Sequence, residues 1–288
     1  MKILVIGASG YLGRRTVAAL RRRNCDVIGA DLHSNREFTD LRLDVRLPEE
    51  VIGAMATVKP TIVINMAYLL SESITERADD AIRTNVLGVN TIFASAVALG
   101  IPRVINMGSM AVYGDQLDIG EGWVTESSPL RPATTYGWMK ALNESMAADY
   151  DARSMTHFIT VRCSNCYGLT GSGAGFNPIG RLLAAQGKTD RILLPWSADH
   201  VTSLLHVDDA AEAVALIASA DEVRWRVYNT GGEPVRLGDL DRTVGKILGI
   251  TIECATPGLR VAHPGRISDE RLRVEFGFRR RSLPEGIL

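Results

Sequence analysis

Lys2-Ile3-Leu4-Val5-Ile6-Gly7-Ala8-Ser9-Gly10-Tyr11-Leu12-Gly13 opens the chain. A continuous apolar strand runs straight into three glycines and then into a helix over 11–23, with Leu12, Val17 and Leu20 on one side. Gly7 permits a tight turn, Gly10 lets backbone approach a pyrophosphate, and Gly13 lets the helix pack close to the sheet. The helix start adds unpaired N–H groups and a positive dipole end. Glycine triplets alone are weak evidence. The confirming context is a second strand ending in an acid, and the strand over 25–31 ends in Asp31. Its carboxylate can accept both hydroxyls of an adenosine ribose and would repel a 2′-phosphate, so NAD is expected rather than NADP. Arg14, Arg15 and Arg36 lie near enough in sequence to temper that preference.

Outward from this turn, strands and helices alternate. Buried strands are expected over 61–67, 103–109 and 157–163, and helices over 48–58, 75–99 and 135–151. Near-continuous apolar strands between amphipathic helices mean a parallel sheet covered on both faces. The expected fold is therefore α/β, a Rossmann doubly wound parallel sheet. After about Tyr167 the rhythm changes. The stretch 168–177 is Gly-rich and aperiodic, and is read as a loop shaping a substrate site. Helices follow over 179–186, 207–220, 237–248 and 268–276, with a short strand near 227–230. Residues 1–167 are expected to form the NAD-binding domain. Residues 168–288 are expected to form mainly a smaller, discontinuous substrate lobe, with the segment near 204–220 returning to the first domain.

Tyr136 and Lys140 stand four residues apart, hence on one face of a helix. A free phenol titrates near 10. A nearby ammonium and a nicotinium charge favour the phenolate, which makes Tyr136 a candidate acid/base. Reaching neutrality would take about 4 kcal/mol of differential stabilisation. Ser109 ends a strand, where ligands gather in open α/β sheets, and its hydroxyl can bond the reacting oxygen.

Apolar residues make up 46% of the 288-residue chain and charged residues 23%, within the range of globular proteins. The net charge of −1 provides no bulk field to recruit nucleic acid or an anionic membrane. Arg21-Arg22-Arg23 and Arg279-Arg280-Arg281 read as solvated faces. No apolar stretch approaches the roughly 18 residues a membrane span needs. The first strand begins at Lys2, which on this reading leaves no room for a secretory leader. Among Cys25, Cys163, Cys166 and Cys254 only the middle two are close, so no zinc site is expected. Cys163-Ser164-Asn165-Cys166 has redox-motif spacing but lies deep in the chain, and all four are read as free thiols in a reducing cytoplasm.

At these residues the chain resembles the extended short-chain dehydrogenases/reductases of the NAD-dependent epimerase/dehydratase family. The resemblance spans nearly the whole length. It takes in Gly7 to Gly13, Asp31, Asp44-Val45, Asn65-Met66-Ala67, Asn85-Val86-Leu87-Gly88 and Ser109 to Gly114. It continues through Tyr136 with Lys140, Arg162 to Gly168, His206-Val207-Asp208-Asp209 and Tyr228 to Gly232. It implies Tyr136 as acid/base and Lys140 as nicotinamide-ribose ligand and tuner of Tyr136. Ser109 would be a partner of the substrate oxygen. A cofactor channel would be lined by Tyr11, Leu12, Asp44, Val45, Met66, Ala67 and Asn85. Asn165, Asn177 and Arg266 become substrate-side candidates, and a homodimer built on two helices per subunit is implied. Two departures matter. Dehydratases of the family carry Asp-Glu straight after the Ser/Thr, where this chain has Met110-Ala111. Nucleotide-sugar enzymes carry an Arg four residues before His-Val-Asp-Asp, where this chain has Thr202, with Arg266 and Arg260 as the candidates to compensate.

Three functions compete. One is a dehydrogenase or reductase using NAD as co-substrate on a sugar-like secondary alcohol. The second is a nucleotide-sugar epimerase that retains its NAD. The third is a non-catalytic dinucleotide-binding sensor, against which Ser109, Tyr136 and Lys140 argue.

Overall fold

The computed structural model describes residues 1–33, 35–168 and 177–288. Of the Gly-rich stretch, residues 169–176 lie outside the described residues, and so does the expectation that they shape the site.

The strands in chain order are β1 (Lys2–Ile6), β2 (Asp26–Asp31), β3 (Leu41–Arg42), β4 (Ile62–Asn65), β5 (Arg103–Ser109), β6 (His157–Cys163), β7 (Asn165–Tyr167), β8 (Arg191–Trp196), β9 (Val201–His206), β10 (Val227–Asn229), β11 (Glu233–Arg236) and β12 (Thr251–Leu259). Seven of them form one sheet in the order β10-β6-β5-β4-β1-β2-β3. Every pairing in it is parallel. The order reverses between β1 and β4, and a crevice at the carboxyl ends of the strands is where such sheets bind ligands.

One core lies on each face, as the unbroken apolar runs require. On one side Ile3, Val5, Val17, Leu20 and Ile64 pack with Val214 and Ile217 of helix Val207–Ser219. On the other, Leu4, Ile6, Val63 and Val104 pack with Ile92, Phe93 and Phe158. Helix Val207–Ser219 lies against helix Gly13–Arg22.

A smaller unit has its own core around Trp196, Leu182, Leu240 and Val244. It combines the three-stranded sheet β11-β9-β7 with the pair β12-β8. Three expectations need correction. The strand near 227–230 is not part of the smaller lobe, because β10 pairs with β6 and finishes the large sheet. The helix expected over 75–99 breaks at Arg77, whose φ of −137° is not helical, and contains a π-helical turn at Arg83–Gly88. The arginine run at 279–281 is not simply solvated, since Arg280 pairs with Asp269 and Arg281 with Asp209.

Candidate active site

The cofactor turn is built on close backbone approach. Gly7 has φ of +87°, and a Cβ there would sit 2.5 Å from the Ala67 nitrogen at the end of β4. A Cβ at Gly13 would sit 2.0 Å from the Gly7 carbonyl oxygen. Only glycine fits either place. The helix that follows has no side-chain N-cap and no acid in its first turn. Arg14 donates its N–H to the Gly10 carbonyl at 3.1 Å, and the uncapped helix end suits an anion such as a pyrophosphate.

Asp31 closes this turn from the neighbouring strand. Its Oδ2 accepts from the Ser9 backbone N–H at 3.0 Å and its Oδ1 from that of His33 at 3.0 Å. The carboxylate is fixed while each oxygen keeps a lone pair for a ribose hydroxyl. Arg15 donates to the Tyr11 carbonyl and pairs with Asp208 at 3.1 Å, which commits one of the nearby cations elsewhere. These features fit a dinucleotide carrying a free 2′-hydroxyl.

The other channel candidates separate by what their side chains already hold. Tyr11 donates its hydroxyl to the Gly168 carbonyl at 3.2 Å. Leu12 and Met66 pack on one core and Ala67 on the other. Asp44 is buried on Arg46, whose guanidinium holds its carboxyl below the usual range, and Val45 is buried beside Gly88. Asn85 is fully buried; its amide donates to the Leu69 carbonyl at 2.9 Å and its Oδ1 accepts from the Leu69 N–H at 2.8 Å. Asn85 therefore clamps the loop after β4, and Asn143 in turn holds the Asn85 carbonyl.

Ser109, Tyr136 and Lys140 come together at the carboxyl end of β5. Thr134 caps helix Thr135–Arg153 by accepting from the Gly137 N–H at 3.1 Å. A Cβ at Gly137 would sit 2.5 Å from the Ala111 carbonyl, so the glycine lets this helix close on the turn after Ser109. The Ser109 hydroxyl lies near enough to the Tyr136 phenol to favour its anion.

The electrostatics differ from the expected lowering of the Tyr136 phenol. Burial pushes Tyr136 up to about 12, against the nearby Ser109 hydroxyl, which favours the anion. Burial also pushes Lys140 down to about 7. The physical reason is that Lys140 does not meet the phenol oxygen. Its Nζ donates to the Met107 carbonyl at 2.6 Å and lies 3.4 Å from the centre of the Tyr68 ring. Tyr68 packs edge-on against Tyr136, with ring centres 5.6 Å apart. Desolvation thus outweighs attraction in the cofactor-free protein. Sequence reasoning misses Tyr68, which follows a strand end without any motif of its own.

A second polar cluster lies where β7 meets β9. Asn165 donates to the Thr202 hydroxyl at 2.6 Å and meets His263 Nε2 at 3.1 Å. His263 stacks edge-on with His200 at 5.1 Å. Burial pushes His200 down to about 4 and His263 to about 3, so both rings are neutral at ordinary pH. These histidines stand 63 positions apart in sequence, with no spacing signal to join them. Asn177 spends its Oδ1 on the Gly180 N–H as the cap of helix Pro178–Ala185. The Arg266 guanidinium donates to the Glu121 carbonyl at 2.9 Å.

A buried network holds the tyrosine helix to the sheet. Arg162 of β6 pairs with Glu144 of that helix and donates to the Tyr113 hydroxyl. Tyr113 donates to Asn229 Oδ1 at 2.7 Å.

Comparison with known proteins places the chain among them. A probable dTDP-glucose 4,6-dehydratase from Sinorhizobium fredii is 27% identical over 260 residues, spanning 81% of this chain and 71% of that protein. The UDP-glucose 4-epimerase of Thermus thermophilus, solved with NAD, superposes with a TM-score of 0.84 at 24% identity over 100% of this chain and 96% of that one. A GalE-like L-threonine dehydrogenase from Cupriavidus necator superposes at 0.87 with 20% identity, over 100% and 98% of the two chains. The family model for the NAD dependent epimerase/dehydratase family matches residues 3–231, from the first strand through the segment that completes the sheet, and the chain is a member of that family of enzymes.

Proposed function

We propose that this enzyme is an NAD-dependent dehydrogenase or reductase acting at the secondary alcohol carbon of a small, sugar-like substrate without a nucleotide. The wall made by Asn165, Thr202, His263 and His200 carries the proposal. Thr202 is fully buried and bonded to Asn165 at the place where the family's nucleotide-sugar enzymes carry an arginine. A hydroxyl cannot give the charge-assisted, bidentate contact an arginine gives a phosphate. The histidines beside it are neutral, and the nearby Arg260 is exposed rather than built into the wall. The buried, apolar setting of Met110 likewise disfavours dehydration, because no carboxylic acid follows Ser109.

In this reading Ser109 donates a hydrogen bond to the reacting oxygen, and Tyr136 moves its proton. NAD, when bound, supplies the hydride chemistry that no side chain has. Burial keeps the proton on Tyr136 at neutral pH, which suits an acid for carbonyl reduction. Taking a proton from an alcohol requires added positive charge near the phenol, for which Lys140 is placed one helical turn away. Asp31 selects NAD(H), and the turn from Gly7 to Gly13 seats the pyrophosphate.

We further infer a homodimer formed by the helices around 83–98 and 135–153. Leu87, Trp138 and Leu142 are 56%, 61% and 47% exposed on them. Light scattering on a size-exclusion column tests this, and a monomer at micromolar concentration removes the idea. Among the described residues no helix is long and apolar enough to cross a membrane. Four free cysteines support placement in the cytoplasm.

The deciding experiment follows NADH formation with polyols, sugar acids, hydroxy amino acids and nucleotide sugars as substrates. Net NADH from a non-nucleotide alcohol supports the proposal. Isomerisation of a nucleotide sugar without net NADH replaces it with the epimerase reading.

A further inference from the structure

The chemistry proposed above leaves two nucleophiles unused beside the candidate acid/base. Cys163 ends β6, in register with Ser109 on β5. Cys166 lies on β7, where the chain turns into the smaller unit. The two Sγ atoms are 3.3 Å apart, and both residues are partly exposed. Among the described residues neither thiol belongs to a cluster that could hold a metal ion.

We propose that Cys163 and Cys166 form a hydroperoxide-reactive dithiol that closes reversibly to a disulfide beside Tyr136. The electrostatic surroundings of the two sulfurs differ. The Cys166 thiol in contact with it, the nearby Thr230 hydroxyl and the Lys140 charge all favour the Cys163 thiolate. Burial and the neighbouring Cys163 keep Cys166 protonated. A thiolate with a donor thiol in contact is a nucleophile with its resolving partner in place.

The reaction balances with hydrogen peroxide as oxidant. The Cys163 thiolate attacks one peroxide oxygen, the O–O bond breaks, and the departing hydroxide takes a proton to leave as water. The Cys166 sulfur then attacks the resulting sulfenic sulfur. An S–S bond forms, the S–O bond breaks, and the Cys166 proton leaves with the oxygen as a second water. Two thiols lose two electrons, and peroxide is reduced to two waters. Closing to a bond length of about 2.05 Å draws the sulfurs together by more than an ångström. Asn165 lies inside the turn that must contract, and it carries the contacts to Thr202 and His263.

The test treats the full chain with hydrogen peroxide and reads each cysteine by peptide mass. Trypsin releases residues 163–181 as one peptide that contains both sulfurs. The expected result is loss of two hydrogens from that peptide, restored by dithiothreitol, at about ten times the rate at which Cys25 or Cys254 is modified. Cys166→Ser should leave a dimedone-reactive sulfenic acid at Cys163. Four cysteines oxidising at similar rates would overturn the proposal, as would direct passage of Cys163 to a sulfinic acid in the wild-type chain. Because these readouts need no substrate, they remain separate from the fate of the dehydrogenase reading.

Discussion

Replacing Lys140 by methionine should stabilise the cofactor-free protein near neutral pH, and the gain should fade as pH rises. Lys140 is 5% exposed, and burial lowers it from 10.5 to about 7. The folded chain therefore holds that proton only below about 7, whereas the unfolded chain holds it up to about 10.4. Between these values the unfolded state binds more protons, so stability climbs with pH across the window. At and below neutrality nearly the whole difference, roughly 5 kcal/mol, weighs against folding. Two contacts offset part of it. The cation over Tyr68 returns about 2 kcal/mol, and the bond to the Met107 carbonyl about 1–2 kcal/mol. Methionine keeps the stem and removes the charge. Lys140→Met should thus be more stable than wild type by about 1–2 kcal/mol near pH 7. Between pH 7 and pH 10 the wild type regains about 3–4 kcal/mol, so near pH 10 the gain should have turned into a loss of about 2 kcal/mol. Urea unfolding followed by tryptophan fluorescence, repeated across that range, measures both. A variant that is less stable than wild type near pH 7, or whose difference ignores pH, would refute the reasoning.

Other outcomes follow from the same geometry. Asp31→Ala should narrow the preference for NAD(H) over NADP(H); tighter NADP(H) binding by the wild-type protein in parallel titrations would contradict the role given to Asp31. Tyr136→Phe should leave NAD affinity nearly intact while turnover falls by about 10²–10⁴-fold, so a fully active variant removes the acid/base assignment. Glu144→Gln leaves the buried Arg162 charge without its partner and should cost about 3–5 kcal/mol in thermal or urea unfolding, whereas a loss below about 1 kcal/mol would mean that solvent reaches the pair.

The large sheet is legible in the sequence because its strands are buried on both faces and read as unbroken apolar runs. The smaller unit is not. β8 and β12 are half-exposed strands of mixed character, and their pairing joins residues about 60 apart. β10 has three residues, and only its register with β6 assigns it to the large sheet. At the site, Gly7, Asp31, Ser109, Tyr136 and Lys140 are readable because turn geometry and helical spacing bring them together locally. Tyr68, His200 and His263 are not, since each reaches the site from a separate loop or strand end. The direction of the Tyr136 shift escapes a sequence reading for a related reason. Charge can be counted in a sequence, but desolvation depends on how completely the fold covers the phenol.

The network of Glu144, Arg162, Tyr113 and Asn229 has a consequence for how this sequence can drift. Each member satisfies a buried polar group of another, so the first substitution among them leaves an orphan and the second relieves it. A lineage cannot cross that valley by independent single steps without a weakened intermediate. Across related sequences these four positions should change as a set, and an apolar replacement of the Glu144–Arg162 pair should arrive together or not at all. The orientation of the helix that carries Tyr136 is thereby inherited as a block, while the Asn165–Thr202–His263 cluster, joined by no ion pair among these residues, is free to change one residue at a time.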